Sequence, residues 1–154
     1  MKSILFILAL VSSTVVFGQS SFSKVDAKQV IDTFFEGFHK GDTLQMNSVL
    51  TNDTVLQTAF TDGQGNDRIS SMPVSNLLKA IAERPANQVW DERLLEYKIQ
   101  LDGNLAHVWT PYEFWANGSF SHCGANAFTL AKTEKGWKII HLIDSRRRSN
   151  CKQS

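Results

Sequence analysis

The sequence predicts an α+β domain in which N-terminal helices cover one face of a curved antiparallel sheet. Apolar residues recur at helical spacing over residues 24–40 and again over residues 73–85. From residue 92 onward, four segments alternate polar and apolar side chains, and short turn sequences separate them: "DGN", "NGS" and "EKG". A sheet of this kind must bury one face, and the preceding helices supply the covering layer.

The first predicted element is an amphipathic helix over residues 24–40. Its apolar face carries side chains at helical spacing: Val30, Phe34, Phe35 and Phe38. Gly41 follows the last turn, where glycine commonly ends a helix. Asp42 is the predicted N-cap of a short second helix that continues through Leu50.

A strand and a third helix complete the first half of the domain. Residues 54–60, "TVLQTAF", alternate as a strand does, and the turn-rich "TDGQGND" follows them. The third helix is expected over residues 73–85, because proline is favourable at a helix start and a second proline ends the helical pattern. The predicted order is therefore helix, helix, strand, helix and four strands.

The four C-terminal strands are predicted over residues 92–101, 105–116, 119–132 and 137–144. In the first of them, alternation places on one face Arg93, Leu95, Tyr97, Ile99 and Leu101. In the last, one face carries Trp137, Ile139, His141 and Ile143. Pro111 cannot donate to a ladder and could mark a bulge, so the sequence leaves open which face of the 105–116 strand lines the interior.

Residues 1–18 show the pattern of a secretory signal peptide. One lysine precedes an apolar run over residues 4–10, and the small residue Gly18 ends the segment. The run is broken by "SST" at residues 12–14 and is shorter than the roughly 20 apolar residues of a membrane-spanning helix. We therefore predict cleavage between Gly18 and Gln19.

Cleavage would leave one domain over residues 19–154, exported to the periplasm or the medium and not inserted in a membrane. The full chain has 16 basic and 15 acidic residues, and one lysine leaves with residues 1–18, so the mature domain is electrically balanced. This balance argues against a nucleic-acid partner, which would require a basic surface. The run "SRRRSN" near the C-terminus is a local exception that is typical of a solvated loop.

The stretch "SHCGANAF", residues 121–128, places His122 beside Cys123. Neighbours in a strand point to opposite faces, which disfavours both a Cys/His nucleophile pair and a shared zinc site. The only other cysteine is Cys151, and the chain is bound for an oxidising compartment. We therefore predict a disulfide between Cys123 and Cys151 within one chain, with an intermolecular bridge at a dimer interface as the alternative.

Three stretches, taken with the order of elements, resemble exported bacterial members of the NTF2-like (SnoaL-like) superfamily, in particular the group called "putative lumazine-binding". They are "HVWTPYEFW", "SHCGANAFTL" and "GWKIIHLIDSRRRSNC", and the resemblance covers about residues 24–151. It implies a cone, in which the curved sheet wraps around the helices, with a pocket at the open end and a homodimer packed through the sheet. The superfamily contains isomerases, dehydratases and polyketide cyclases as well as binding domains without chemistry, so the fold does not supply the function.

Strand parity within such a cone selects the polar residues expected to face the pocket. They are Tyr97, Tyr112, His122, Asn126 and His141. Each tyrosine and histidine could instead be a satisfied core residue with its polar atom bonded to the backbone. Asn126 is the most informative of the set, because an inward amide needs partners for several donors and acceptors.

We expect a domain that binds a small aromatic or apolar molecule, without a cofactor or a metal ion. The rival hypothesis is an isomerase, dehydratase or cyclase that uses His122 or His141 as its general base. Asp144 differs in parity from His141, so it is expected on the opposite face unless the strand ends or bulges before it. Pro111 leaves the face of Glu113 open in the same way, so no inward carboxylate is assigned. A third hypothesis is an interaction module whose sheet only forms a dimer or docks a partner.

Overall fold

The computed structural model describes residues 22–151. The predicted signal peptide and its cleavage point lie outside the described residues. The helices of the described part are α1 (Lys24–Lys40), α2 (Thr43–Ser48) and α3 (Val74–Ala82). Its strands are β1 (Leu50–Thr61), β2 (Asp67–Met72), β3 (Trp90–Leu94), β4 (Lys98–Asp102), β5 (Leu105–Ala116), β6 (Ser119–Thr133) and β7 (Gly136–Arg147). Between residues 22 and 151, no helix has the length and apolar character needed to cross a membrane.

The strands form one curved, unclosed sheet in the order β2-β1-β7-β6-β5-β3, with β4 also paired to β5. The pairing of β1 with β7 is parallel, and the other pairings are antiparallel. α1 lies across the concave face, where Phe34 and Phe35 each contact the ring of Phe128 on β6. The predicted α+β class and the cone are therefore confirmed.

The ends of α1 follow from local sequence. Ser23 caps the first turn in a reciprocal capping box with Asp26, which satisfies backbone donors that a helix start leaves open. Gly41 ends the helix in the left-handed conformation, with φ of 76°, which glycine adopts at no steric cost. The side chain of Asp42 then accepts a hydrogen bond from the backbone N–H of Gln45 and caps α2. Both helix starts agree with the sequence prediction.

The prediction missed β2 and merged β3 with β4. All six residues of β2 are exposed, so this edge strand lacks the alternation by which strands are recognised. The predicted 92–101 strand is interrupted between Leu94 and Lys98, although both halves pair with β5. The interruption shifts the parity, so the side chain of Glu92 faces the interior, which the continuous alternation did not predict.

A bulge in β7 changes the face to which its later residues point. His141 pairs with Thr129 and Ile139 pairs with Leu130, so Ile140 is an extra residue in the ladder. Asp144 therefore faces the interior, as the sequence allowed for a strand that bulges before this residue. His141 lies on the opposite side of the strand, where its Nε2 is 3.1 Å from Oε1 of Gln57.

The strand that contains Pro111 keeps one register from Leu105 to Phe114, and its irregularity lies between Phe114 and Trp115. No change of face therefore occurs at the proline, and the question that the sequence left open is settled. The inner face of β5 carries Val108, Thr110, Tyr112 and Phe114.

The structure joins Cys123 on β6 to Cys151 by a disulfide, with the two Cα atoms 5.8 Å apart. Cys123 pairs in register with Arg147, the last residue of β7. The segment after β7 therefore folds back over the neighbouring strand, and the bond fixes it there.

Candidate functional site

A cavity of about 580 Å³ lies between α1, α3 and the concave face of the sheet. Apolar side chains form most of its wall: Phe34, Phe35, Phe38, Leu77, Trp90, Phe114 and Leu142. Its polar residues include Glu92, His122, Asn126, Asp144 and Arg146. A cavity of this size and composition is typical of small-molecule sites in proteins.

Strand register explains how polar and apolar side chains come to occupy different levels of the cavity. One row across β1, β7 and β6 is apolar and consists of Leu56, Leu142 and Phe128. The next row on the same face consists of Thr58, Asp144 and Asn126. Because alternate residues share a face, each step of two residues along the strands moves from the apolar level to the polar one.

Asp144 is held by donors from three strands. Thr58 donates through Oγ1 to Oδ1 at 2.6 Å, and Tyr112 donates through Oη to Oδ2 at 2.9 Å. The Nε of Arg146 lies 3.4 Å from the same Oδ2. Both oxygens of this carboxylate are thus occupied within the protein, so Asp144 is a fixed part of the wall.

Tyr112 occupies its position because residue 124 is glycine. A Cβ atom on Gly124 would lie 1.7 Å from the backbone oxygen of Ser145 and 2.8 Å from Cε1 of Tyr112. Burial raises the pKa of Tyr112 well above its ordinary value, and the nearby Asp144 and Glu92 act in the same direction. The hydroxyl therefore keeps its proton and remains the donor to Asp144.

Glu92 and Asn126 form a second polar pair. Nδ2 of Asn126 donates to Oε1 of Glu92 at 2.7 Å. Burial raises the pKa of Glu92 to about 7, and the Asp144 carboxylate adds to the rise, whereas the bond from Asn126 and the charge of Arg146 oppose it. A carboxyl group that titrates near neutral pH can either donate or accept a proton there.

His122 packs by its ring. It stacks on Phe114 with the ring centroids 4.8 Å apart, and its Nδ1 lies 3.0 Å from Oγ of Ser121. Burial lowers the pKa of His122 to about 4, and the charge of Arg146 acts in the same direction. The imidazole is therefore neutral at physiological pH.

The structure brings some of the sequence-predicted residues together and separates others. His122 and Asn126 line the cavity, and Tyr112 supports it from behind through Asp144. Tyr97 lies against α1 instead, with its Oη donating to Oδ1 of Asp32 at 2.5 Å and the ammonium of Lys28 over its ring. His141 lies on the convex side of the sheet. Within residues 22–151, no three side chains of the metal-ligating kinds converge on one point.

Sequence reasoning missed Glu92, Asp144 and Arg146 as cavity residues. One signal was present for Glu92, because the apolar Trp90 and Leu94 share its parity and flank it. For Asp144 and Arg146 the bulge at Ile140 leaves no mark in the sequence that alternation could detect.

A family described as "Putative lumazine-binding" matches residues 23–142 of this chain. The chain belongs to this family. Solved structures of NTF2-like proteins share its fold. No sequence match was found among curated proteins.

Three solved structures illustrate the shared fold. An NTF2-like protein of unknown function from Shewanella baltica is 16% identical, with 84% of this chain and 100% of that chain covered at a TM-score of 0.58. An NTF2-like protein from Cytophaga hutchinsonii is 10% identical, with coverage of 82% and 100% and a TM-score of 0.65. A protein from Streptomyces avermitilis titled "putative dehydratase from the NTF2-like family" is 16% identical, with coverage of 79% and 93% and a TM-score of 0.59. At identities this low, the structural similarity shows a common fold and nothing about function.

Proposed function

We propose that this NTF2-like domain binds a small, largely aromatic or apolar molecule in its cavity. The observation that carries the proposal is a cavity of about 580 Å³ with phenylalanine and tryptophan walls and a convergent polar cluster. Apolar walls supply most of the binding free energy, and the few polar groups orient the ligand. The family description, "Putative lumazine-binding", is compatible with a planar ligand of this size.

The proposal can be tested with N-phenyl-1-naphthylamine, a neutral probe that fluoresces in apolar sites. We expect saturable binding with one probe per chain. Ala80→Trp should abolish binding, because residue 80 lines the cavity and an indole would occupy its volume. Ala82→Trp is the matched control, since Ala82 is an exposed residue of the same helix outside the lining. Equal binding by the two variants would refute the proposal.

A second candidate function, proton-transfer catalysis, is supported by the pKa of Glu92. A half-buried carboxyl group with a pKa of about 7 suits a general base, because it is ionised in part yet has an appreciable proton affinity. Glu92 replaces His122 and His141 as the candidate base: the first has a pKa of about 4, and the second lies outside the cavity. The name of the Streptomyces avermitilis neighbour is consistent with such chemistry.

Deuterium exchange at the acidic CH₂ group of 2-tetralone, followed by NMR, tests this second function. The rate should rise with pH through about 7 as Glu92 ionises. Glu92→Gln should remove the protein-dependent rate, and His122→Asn should retain the limb near pH 7. Exchange no faster than in buffer would exclude catalysis of this class for this probe and leave binding as the function.

We further propose that the domain is exported after removal of residues 1–18 and forms a homodimer through the convex face of its sheet. The disulfide supports export, because such bonds persist in oxidising compartments. On that face the exposed Trp109 (39%) and Leu105 (49%) pair in register with Ala127 and Ala131, and this apolar patch supports a covered face. Intact mass of the exported protein tests the first statement. Sedimentation of the wild type and of Trp109→Lys tests the second, which a monomeric wild type would refute.

A further inference from the structure

The Glu92–Asn126 pair leaves two oxygen atoms directed into the cavity. Asn126 is only 3% exposed, and its Nδ2 is bonded to Oε1 of Glu92. Within residues 22–151, the structure gives no partner to Oδ1 of Asn126 or to Oε2 of Glu92. In that part of the chain, every side-chain oxygen that is fully buried has a hydrogen-bond partner. These two oxygens have none, so they must be accessible, and the cavity that both residues line is where they are open. The two open oxygens thus belong to side chains that one hydrogen bond joins at the polar part of the cavity wall.

The charges around this pair leave the cavity negative when Glu92 is ionised. The titratable and charged side chains packed around it are Asp144 and Arg146 from β7, Tyr112 from β5, His122 from β6 and His39 from α1. Asp144 and Arg146 form an ion pair, so their charges balance. Tyr112 and His122 are neutral at physiological pH. Burial lowers the pKa of His39, and Arg148 is among the charges that act on His122 but not among those that act on Glu92. Glu92 therefore carries the one negative charge of this cluster that no ion pair compensates.

Aromatic rings line the same cavity as the Glu92–Asn126 pair. Trp90 precedes Glu92 by two residues on the same face of β3 and packs with its ring centroid 6.0 Å from that of Phe38. Phe114, the register partner of Glu92, lies 6.4 Å from Phe38. Ring faces attract delocalised cations as well as planar apolar groups. An aromatic cavity with a carboxylate at its end thus selects for a ligand that is flat and positively charged.

We propose that the cavity recognises a planar aromatic molecule with two adjacent N–H donors on a delocalised cation, of the aryl-amidine or aminoheterocycle class. One N–H donates to Oε2 of Glu92 and the other to Oδ1 of Asn126, while the rings of Trp90, Phe38 and Phe114 hold the flat body. This inference rests on the proposed binding function and names the chemistry of its ligand. Paired charge-assisted hydrogen bonds in an apolar site are strong and geometrically selective.

Three naphthalene probes of one shape test which hydrogen-bonding pattern Glu92 and Asn126 prefer. 2-Naphthamidine offers two donors and a positive charge, and 2-naphthamide offers a donor and an acceptor. 2-Naphthoate offers two acceptors and a negative charge. Their affinities are measured by titration calorimetry at pH 8, beside N-phenyl-1-naphthylamine. We expect the amidine to bind at least about tenfold more tightly than the amide, and the naphthoate most weakly, because loss of a partner for a buried charge is costly.

Glu92→Gln is the decisive variant, because it keeps the shape and the bond from Asn126 but removes the charge. It should abolish the preference for the amidine, because the charge that pairs with the amidinium is gone. Asp91→Asn is the matched control on the same strand. In the wild type, affinity for the amidine should fall as pH decreases below about 7, because Glu92 must be ionised to bind it, and this dependence should vanish in Glu92→Gln.

The outcomes distinguish the inference from the function on which it rests. Equal affinities for the three naphthalene probes, with N-phenyl-1-naphthylamine bound, would overturn the inference alone. A preference for the amide would also overturn it, since Glu92 would then act as a donor. Failure of every probe to bind, N-phenyl-1-naphthylamine included, would overturn the proposed function itself.

Discussion

Replacement of Glu92 by glutamine should make the protein more stable at alkaline pH than the wild type. Burial raises the pKa of Glu92 from its ordinary 4.5 to about 7 in the folded protein. Between these two values the folded state binds a proton that the unfolded state has released. The free energy of unfolding therefore falls as pH rises from about 4.5 to 7 and levels off above that range.

The size of the effect follows from the two pKa values. A difference from 4.5 to about 7 gives a total of about 3 kcal/mol, of which about 2.5 kcal/mol develops between pH 5 and pH 8. Glutamine cannot ionise and can still accept the bond from Asn126 through Oε1. The stability of the variant should thus lack this component, while every other titrating group contributes equally to both proteins.

Urea denaturation of both proteins at pH 5 and at pH 8 measures the difference. Relative to Glu92→Gln, the wild type should lose about 2.5 kcal/mol between the two pH values. An equal change in the free energy of unfolding for the two proteins would show that Glu92 is solvated well enough to keep an ordinary pKa. That result would also remove the argument for Glu92 as a general base.

Further predictions concern the disulfide, the tyrosine behind the cavity and the glycine beneath it. Replacing both Cys123 and Cys151 by alanine opens a loop with a sequence separation of 28, which should cost about 3 to 4 kcal/mol of unfolding free energy by the chain-entropy relation. A free thiol or a covalent dimer in wild-type protein purified from an oxidising compartment would contradict the bond. Tyr112→Phe removes the donor to a buried carboxylate and should cost about 1 to 3 kcal/mol in urea denaturation, with N-phenyl-1-naphthylamine binding retained. Gly124→Ala should destabilise by more than about 2 kcal/mol, because its methyl group would overlap a backbone carbonyl; an unchanged melting temperature would disprove the close approach.

The sequence predicts the elements of this fold better than it predicts the faces of the strands. Periodicity and capping residues located α1 and the starts of α2 and α3 because those signals are local. The faces of β3 and β7 were predicted wrongly because alternation identifies a face only while the ladder is continuous. One extra residue at Ile140 turns every later side chain to the other side.

The same reason explains which site residues were found. His122 and Asn126 lie six and two positions before the core residue Phe128 on one uninterrupted part of β6, so parity placed them in the interior. Glu92 and Asp144 depend on an interruption and on a bulge that form only through pairing with other strands. The bond that joins Asn126 to Glu92 spans 34 residues, and no local pattern encodes it.

The parallel pairing of β1 with β7 has a consequence for the order in which the molecule can fold. The meander of β5, β6 and β7 is joined by short turns, so its contacts close small loops and should form early. The first strand can take its place only after the last strand exists, and the bond from Thr58 to Asp144 spans 86 residues. A chain that emerges from a ribosome therefore lacks a complete sheet until almost all of it has been synthesised. We expect the cavity to be the last part of the molecule to acquire its final shape.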